Sequence, residues 1–217
     1  MTMSSFDRMW ESLRLVGRDP ATRGYRRFAW TGEDHTLREW FAGECEARGL
    51  DVVVDRAGNQ WGWWGNPDET PGVVIGSHLD SVADGGAFDG PLGVVSAFAA
   101  LDALQHKGFR PRVPIGVANF ADEEGARFGI ACAGSRLLTG ALDPRRAAAL
   151  RDADGVTMAE AWRAAGLEPN TMGADPEALR RVTAYVELHV EQGLALALDP
   201  DGEPDLIDPA RAVAIGT

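Results

Sequence analysis

Apolar and polar positions along the chain repeat with two different periods. Phe6, Met9, Trp10, Leu13 and Val16 recur at three- and four-residue spacing behind Ser4 and Ser5, and Gly17 ends the run. That spacing predicts a helix with one buried face. A second helix is expected after Thr31, with Leu37, Trp40 and Phe41 on one face and Gly49 as its stop. Residues 50–55 are short and β-branched, and Ala57-Gly58-Asn59 turns them back into residues 60–64, the pattern of a hairpin. Val73-Val74-Ile75-Gly76 and residues 113–120 are continuous apolar runs, as in strands buried on both faces. Between them Pro91 opens a helix that Gly108 stops. Asp143-Pro144, Thr157 with Glu160, and Asp175-Pro176 each carry the chemistry of a helix start, and residues 183–189 read as a further buried strand. Strands alternating with helices predict an α/β fold with a mainly parallel mixed sheet flanked by helices. Residues 199–208 form an acidic stretch rich in Pro and Gly, and residues 211–217 read as the start of a new strand.

Composition narrows the function classes. Of 217 residues, 45% are apolar and 25% charged, ordinary values for a globular chain long enough to bury a core without staples. The 33 acidic residues outnumber the 21 basic ones and leave a net charge of -12. Nucleic acid and anionic membranes both call for a basic face, so neither is expected as a partner. Cys45 and Cys132 are the only cysteines, which argues against a disulfide framework and for a reducing compartment. Asp7, Arg8, Glu11 and Arg14 interrupt any apolar leader, and no apolar run reaches the ~20 residues that span a bilayer. A cytoplasmic protein is expected.

The chemistry gathers at strand ends, where open α/β sheets bind their ligands. The first buried strand runs into Ser77-His78-Leu79-Asp80 and then into Gly85-Gly86-Ala87-Phe88-Asp89-Gly90. The next gives Ala121-Asp122-Glu123-Glu124-Gly125, and the last gives Glu187-Leu188-His189-Val190-Glu191-Gln192-Gly193. Imidazole and carboxylate together suit zinc, manganese or cobalt. In His-x-Asp the carboxylate can accept the second ring N–H and fix the tautomer, a supporting role for Asp80. A pair of ions ~3.5–4 Å apart needs a bridging carboxylate, and Asp89 in its glycine-flanked loop is the candidate. Of the adjacent Glu123 and Glu124, one would bind metal and the other handle a proton, and spacing alone does not say which. A single strand-end histidine is ordinarily a satisfied polar residue, and a Glu-Glu pair is ordinarily a solvated face. Three such clusters on successive strands are a different matter. His35 and His106, among charged helical neighbours, read as surface. Gly134-Ser135-Arg136 reads either as a nucleophile motif or as a helix cap whose N-terminus, with Arg136, suits an anion. No nucleophile elbow, P-loop or dinucleotide fingerprint occurs.

The segments GSHLDSVADGGAFDGPLGV (76–94), ADEEGARFG (121–129), AGSR (133–136) and HVEQG (189–193) closely resemble the M20 metallohydrolases. More narrowly they resemble the branch of allantoate amidohydrolase, N-carbamoyl-L-amino-acid hydrolase and β-ureidopropionase, as do FAWTGEDHTLREWF (28–41) and DRAGNQWG (55–62). The resemblance implies a zinc-peptidase-like catalytic domain with two divalent ions, zinc or else manganese, cobalt or nickel. It implies that His78 and His189 bind one ion, Asp89 bridges, and Glu124 binds the other. Glu123 is then the general base, Asp80 orients His78, and Gln192 contacts a small ureido or amide substrate. Members of that branch run to about twice this length. The expected organisation is therefore the N-terminal part of the catalytic domain over 1–210, with 211–217 as the first residues of a missing lid domain through which the parent would form a homodimer. Beyond the lid the chain would return to the catalytic domain and supply the last histidine ligand, so the implied activity, C–N bond hydrolysis outside peptides, is expected to be lost in this chain alone. An M20-type metallopeptidase and a non-catalytic metal-binding fragment are the alternatives.

Overall fold

The computed structural model describes residues 3–190. The expected elements form close to their predicted bounds because caps and turns agree with the apolar pattern. Helix α1 (Ser5–Leu13) starts at Ser4, whose side chain accepts from Asp7 N while the Asp7 carboxylate returns a bond to the Ser4 backbone. Helix α2 (Gly32–Glu46) is capped by Thr31. Strands β1 (Asp51–Val54) and β2 (Gln60–Trp64) pair antiparallel with Val54 opposite Gln60, which confirms the hairpin. Strand β3 (Gly72–His78), helix α3 (Pro91–His106) and strand β4 (Ile115–Phe120) follow, with Pro91 in the first turn of α3.

Short helices α4 (Ala133–Thr139), α5 (Pro144–Ala149), α6 (Met158–Ala164) and α7 (Pro176–Arg180) lead to strand β5 (Val182–Val186). Asp143, Thr157 and Asp175 cap α5, α6 and α7 as read from the sequence. The AGSR segment departs from expectation. Cys132, at φ +57°, takes the cap position of α4 with no side-chain bond, and Gly134 to Arg136 lie inside the helix. The first amides of α4 are already satisfied by carbonyls of residues 121–123, so neither a capping side chain nor an anion is required there.

The described sheet has the order β1-β2-β4-β3-β5. Strand β2 pairs antiparallel with β4, whereas β3 runs parallel to both β4 and β5. Alternate residues of the central strands enter different cores. Val74 and Ala118 pack with α4, α6, α7 and the Trp61–Trp63 pair, while Ile75 and Val117 pack with α1, α2 and α3. The crossover from β3 to β4 thus uses one face of the sheet and that from β4 to β5 the other. The carboxyl ends of the three parallel strands therefore lie side by side at one edge of the sheet, where open α/β sheets bind their ligands. β5 differs from expectation: it is the outer strand of the described sheet, with Tyr185 40% and Val186 57% exposed, not a strand buried on both faces.

The segment after α1 fastens the loop that follows β3. Arg27 N donates to Ser81 Oγ, Ser81 N donates to Arg27 O, and Tyr25 and Gly85 exchange backbone bonds in both directions. Arg26 pairs with Asp84, and Trp10 stacks on Phe88 at 5.1 Å. Asp89 follows directly.

Candidate metal centre

His78 is the last residue of β3, Glu123 and Glu124 lie just beyond β4, and His189 lies just beyond β5. The parallel pairing of these strands brings the three chain segments to one place. His78 sits at the middle, 1% exposed. Its Nδ1 faces the Asp80 carbonyl at 3.1 Å and the Asp80 carboxylate at 3.5 Å. A proton on Nδ1 satisfies that side and leaves the lone pair to Nε2. Nε2 is buried and, among the described residues, has no partner within hydrogen-bond distance. It lies 3.7 Å from an Asp89 oxygen and 3.7 Å from a Glu123 oxygen. His189 Nε2 approaches the same Asp89 oxygen to 3.2 Å. Gly90, at φ +81°, allows this approach, because a Cβ there would come within 2.6 Å of both the His78 ring and its carbonyl.

Among the described residues, two groups of side chains each offer ligand atoms that lie within 4.8 Å of one another. They are His78 with Asp89 and His189, and His78 with Glu123 and Glu124. Glu124 Oε1 is buried and unpartnered. Burial and then the nearby Asp89 charge push the Glu124 carboxyl above its ordinary pKa. For His78, burial acts to lower the pKa, but the facing carboxylates of Asp80, Asp89 and Glu123 outweigh it and raise it well above the ordinary value. Carboxylates held together at the cost of repulsion, around an imidazole whose buried Nε2 faces them, fit a divalent cation that would take the place of the ring proton.

Asp80 has a second task besides facing the His78 ring. Its Oδ1 accepts from Glu123 N at 3.1 Å and its Oδ2 accepts from Glu124 N at 3.0 Å. One buried carboxylate therefore ties the β3 terminus to the glutamate loop. The sequence reading also passed over two residues here. Cys132 Sγ lies 3.4 Å from Glu123 Oε1, and its thiol is pushed up to about 11 by burial and then by the Glu123 charge. Asp122 adopts φ +50°, is 2% exposed, and has neither carboxylate oxygen paired. Burial, followed by the charges of Asp80 and Asp34, pushes its pKa up to about 8. An Asp beside a Glu-Glu pair carries no signal of burial in the sequence, so nothing there could have singled it out. Gln192 lies outside the described residues, as do residues 211–217.

Residues 50–200 match the model of peptidase family M20/M25/M40. The chain belongs to that family. Among M20 relatives, it is 42% identical over 198 residues to an N-carbamoyl-L-amino acid amidohydrolase of Geobacillus stearothermophilus, covering 88% of this chain and 47% of the relative. It is 34% identical over 185 residues to allantoate amidohydrolase of Escherichia coli K12, covering 85% of this chain and 44% of the relative. A hydantoinase/carbamoylase family amidase from Burkholderia ambifaria superposes with a TM-score of 0.76 at 36% identity, over 88% of this chain and 47% of its own. The M20 chain spans about half the length of the curated relatives it matches. Among its described residues, no helix is long and apolar enough to cross a membrane.

Proposed function

We propose that this chain holds the metal centre of a hydrolase that cleaves a ureido or amide C–N bond in a small substrate, such as allantoate or an N-carbamoyl-L-amino acid. The observation that carries the reading is the buried, unpartnered His78 Nε2 with the carboxylates of Asp89, Glu123 and Glu124 gathered around it. The names of the relatives supply the substrate class. His78, Asp89 and His189 would hold one divalent ion, and Glu124 a second, with Asp89 shared between them. Zinc suits this donor set, as do manganese, cobalt and nickel. When bound, such ions polarise a carbonyl and make a water more acidic.

The chain's own side chains do the rest. Glu123 is hydrogen-bonded to Asp80 through its backbone amide, so its carboxylate hangs from a fixed point beside His78. It takes a proton from the attacking water as the C–O bond forms. It returns that proton to the departing nitrogen as the C–N bond breaks, a role worth ~10²–10⁴ in rate. Asp80 keeps the His78 tautomer, and Gln192 supplies a hydrogen bond to the substrate. From a ureido compound the products are ammonia, carbon dioxide and the freed amine.

The test joins residues 1–217 to the C-terminal half of the Geobacillus amidohydrolase and measures ammonia in the presence of zinc, manganese or cobalt. Release from allantoate or an N-carbamoyl-L-amino acid, abolished by Glu123→Gln, is the expected result. Cleavage of dipeptides with no ammonia from ureido compounds would make the chain a metallopeptidase instead.

A further inference from the structure

The backbone of residues 121–124 carries both glutamates, and nearly every polar group in it has an assigned partner. Glu123 N and Glu124 N end on Asp80. The carbonyls of Ala121, Asp122 and Glu123 accept from Gly134 N, Ala133 N and Cys132 N, the otherwise uncapped start of α4. Among the remaining groups, Ala121 N donates to Asn59 Oδ1 at 2.9 Å. Asn59 lies in the β1–β2 turn, far from the glutamates in sequence, and is fully buried at 0% exposure. Its Nδ2 donates to Asp55 Oδ2 at 2.8 Å and reaches Gly134 O at 3.3 Å. One amide therefore touches the β4 end of the glutamate loop and the helix that receives the loop's carbonyls. Asp55 holds that amide in place, being itself fixed by bonds from Ala57 N, Asn59 N and the Trp61 indole. At Gly134 a Cβ would stand 2.2 Å from Asn59 Oδ1, so α4 can lie against this amide only with glycine there.

We infer that Asn59 is a positioning residue for the Glu123–Glu124 pair: its side chain clamps the β4 terminus to α4 and so sets where both carboxylates stand beside His78. This rests on the metal-centre reading above. It joins three otherwise separate sequence features, the Asp55-to-Asn59 turn, the glutamate loop and the glycine of AGSR, in one hydrogen-bonded unit. A role confined to the hairpin turn would need only the Asp55 contacts, and the bonds to Ala121 and Gly134 would serve nothing.

The experiment is hydrogen exchange on the metal-free 217-residue chain and its Asn59→Ala variant, followed by cobalt titration read by visible absorption. Loss of a buried hydrogen bond should speed exchange at residues 121–124 and 132–134 by ~10-fold or more, with α3 and the core of β3 unchanged. Affinity for the ion that depends on Glu124 should fall ~10–100-fold, while the ion held by His78, Asp89 and His189 is retained. Should Asn59→Ala not fold, Asn59→Ser, a smaller truncation of the same amide, should give the same local pattern. Unchanged exchange at 121–124, or exchange raised uniformly across the chain, would overturn the inference. A parent chain that binds no cobalt while this local pattern holds would instead overturn the metal reading and leave the clamp standing.

Discussion

Asp80→Asn is the sharpest single perturbation of the centre, because one carboxylate serves three partners. In the parent chain its two oxygens accept from Glu123 N and Glu124 N at 3.1 and 3.0 Å, and the residue is 3% exposed. Hydrogen bonds to a buried charged acceptor contribute ~1.5–3 kcal/mol each. Asparagine keeps one acceptor, now neutral, and turns an amino group toward the other backbone donor. Losing one bond and weakening the second should cost about 2–4 kcal/mol. Asp80 also repels the buried Asp122 and Asp34, and relief of that repulsion returns on the order of 1 kcal/mol. The net expectation is a loss of about 1–3 kcal/mol, read as a lower urea midpoint for the metal-free chain with an unchanged slope. Ion affinity should fall by ~10–100-fold, because the same change loosens both glutamates and the His78 tautomer. A variant with its midpoint unmoved and its zinc affinity within twofold of the parent would refute the argument that Asp80 assembles the centre.

The adjacent glutamates should separate by phenotype. Glu124→Gln should weaken ion binding itself, whereas Glu123→Gln should keep the ions and lose ~10²–10⁴-fold in rate in the chimera with the Geobacillus half; near-normal turnover by Glu123→Gln would remove it as the base. Asp34 supplies a separate pH signature. Burial raises its pKa from 3.8 to about 6 against the opposing pull of Arg38, and Trp30 N donates to it at 2.9 Å. Because the folded pKa lies above the unfolded one, its favourable contribution is complete below pH ~4 and is lost as pH rises through ~6. Asp34→Asn should therefore gain stability relative to the parent between pH 4.5 and pH 8, with a ceiling of ~3 kcal/mol for two pKa units. A urea-midpoint difference that stays flat or shrinks over that range would contradict it.

The parts of this fold that were legible in the sequence are those where local and global signals agree. Ser4, Thr31, Asp143, Thr157 and Asp175 cap their helices as their side chains allow, and the β1–β2 hairpin turns where Gly58 permits φ +84°. His78, Asp89, Glu123, Glu124 and His189 stand out in the sequence because metal-ligating residue types recur at successive strand ends, and the described sheet brings those residues into two neighbouring groups that share His78. What was not legible depends on contacts distant in sequence. The second task of Asp80 needs the parallel register of β3 and β4, and the clamp at Asn59 needs α4 folded back onto β4. The exposure of β5 was hidden for a related reason. An apolar run predicts burial, but which neighbours cover a strand is decided by the rest of the fold, and in the described sheet β5 has a strand on one side only.

The central claim is that His78, Asp89, Glu124 and His189 together hold divalent ions. Anomalous diffraction at the zinc edge, from crystals of the 217-residue chain grown with zinc, tests it most directly. The account predicts anomalous peaks bonded at ~2.0–2.2 Å to these side chains, with an Asp89 carboxylate shared wherever two peaks stand ~3.5–4 Å apart. Zinc bound only elsewhere, with His78 Nε2 and the Asp89 carboxylate touching no peak, would contradict it.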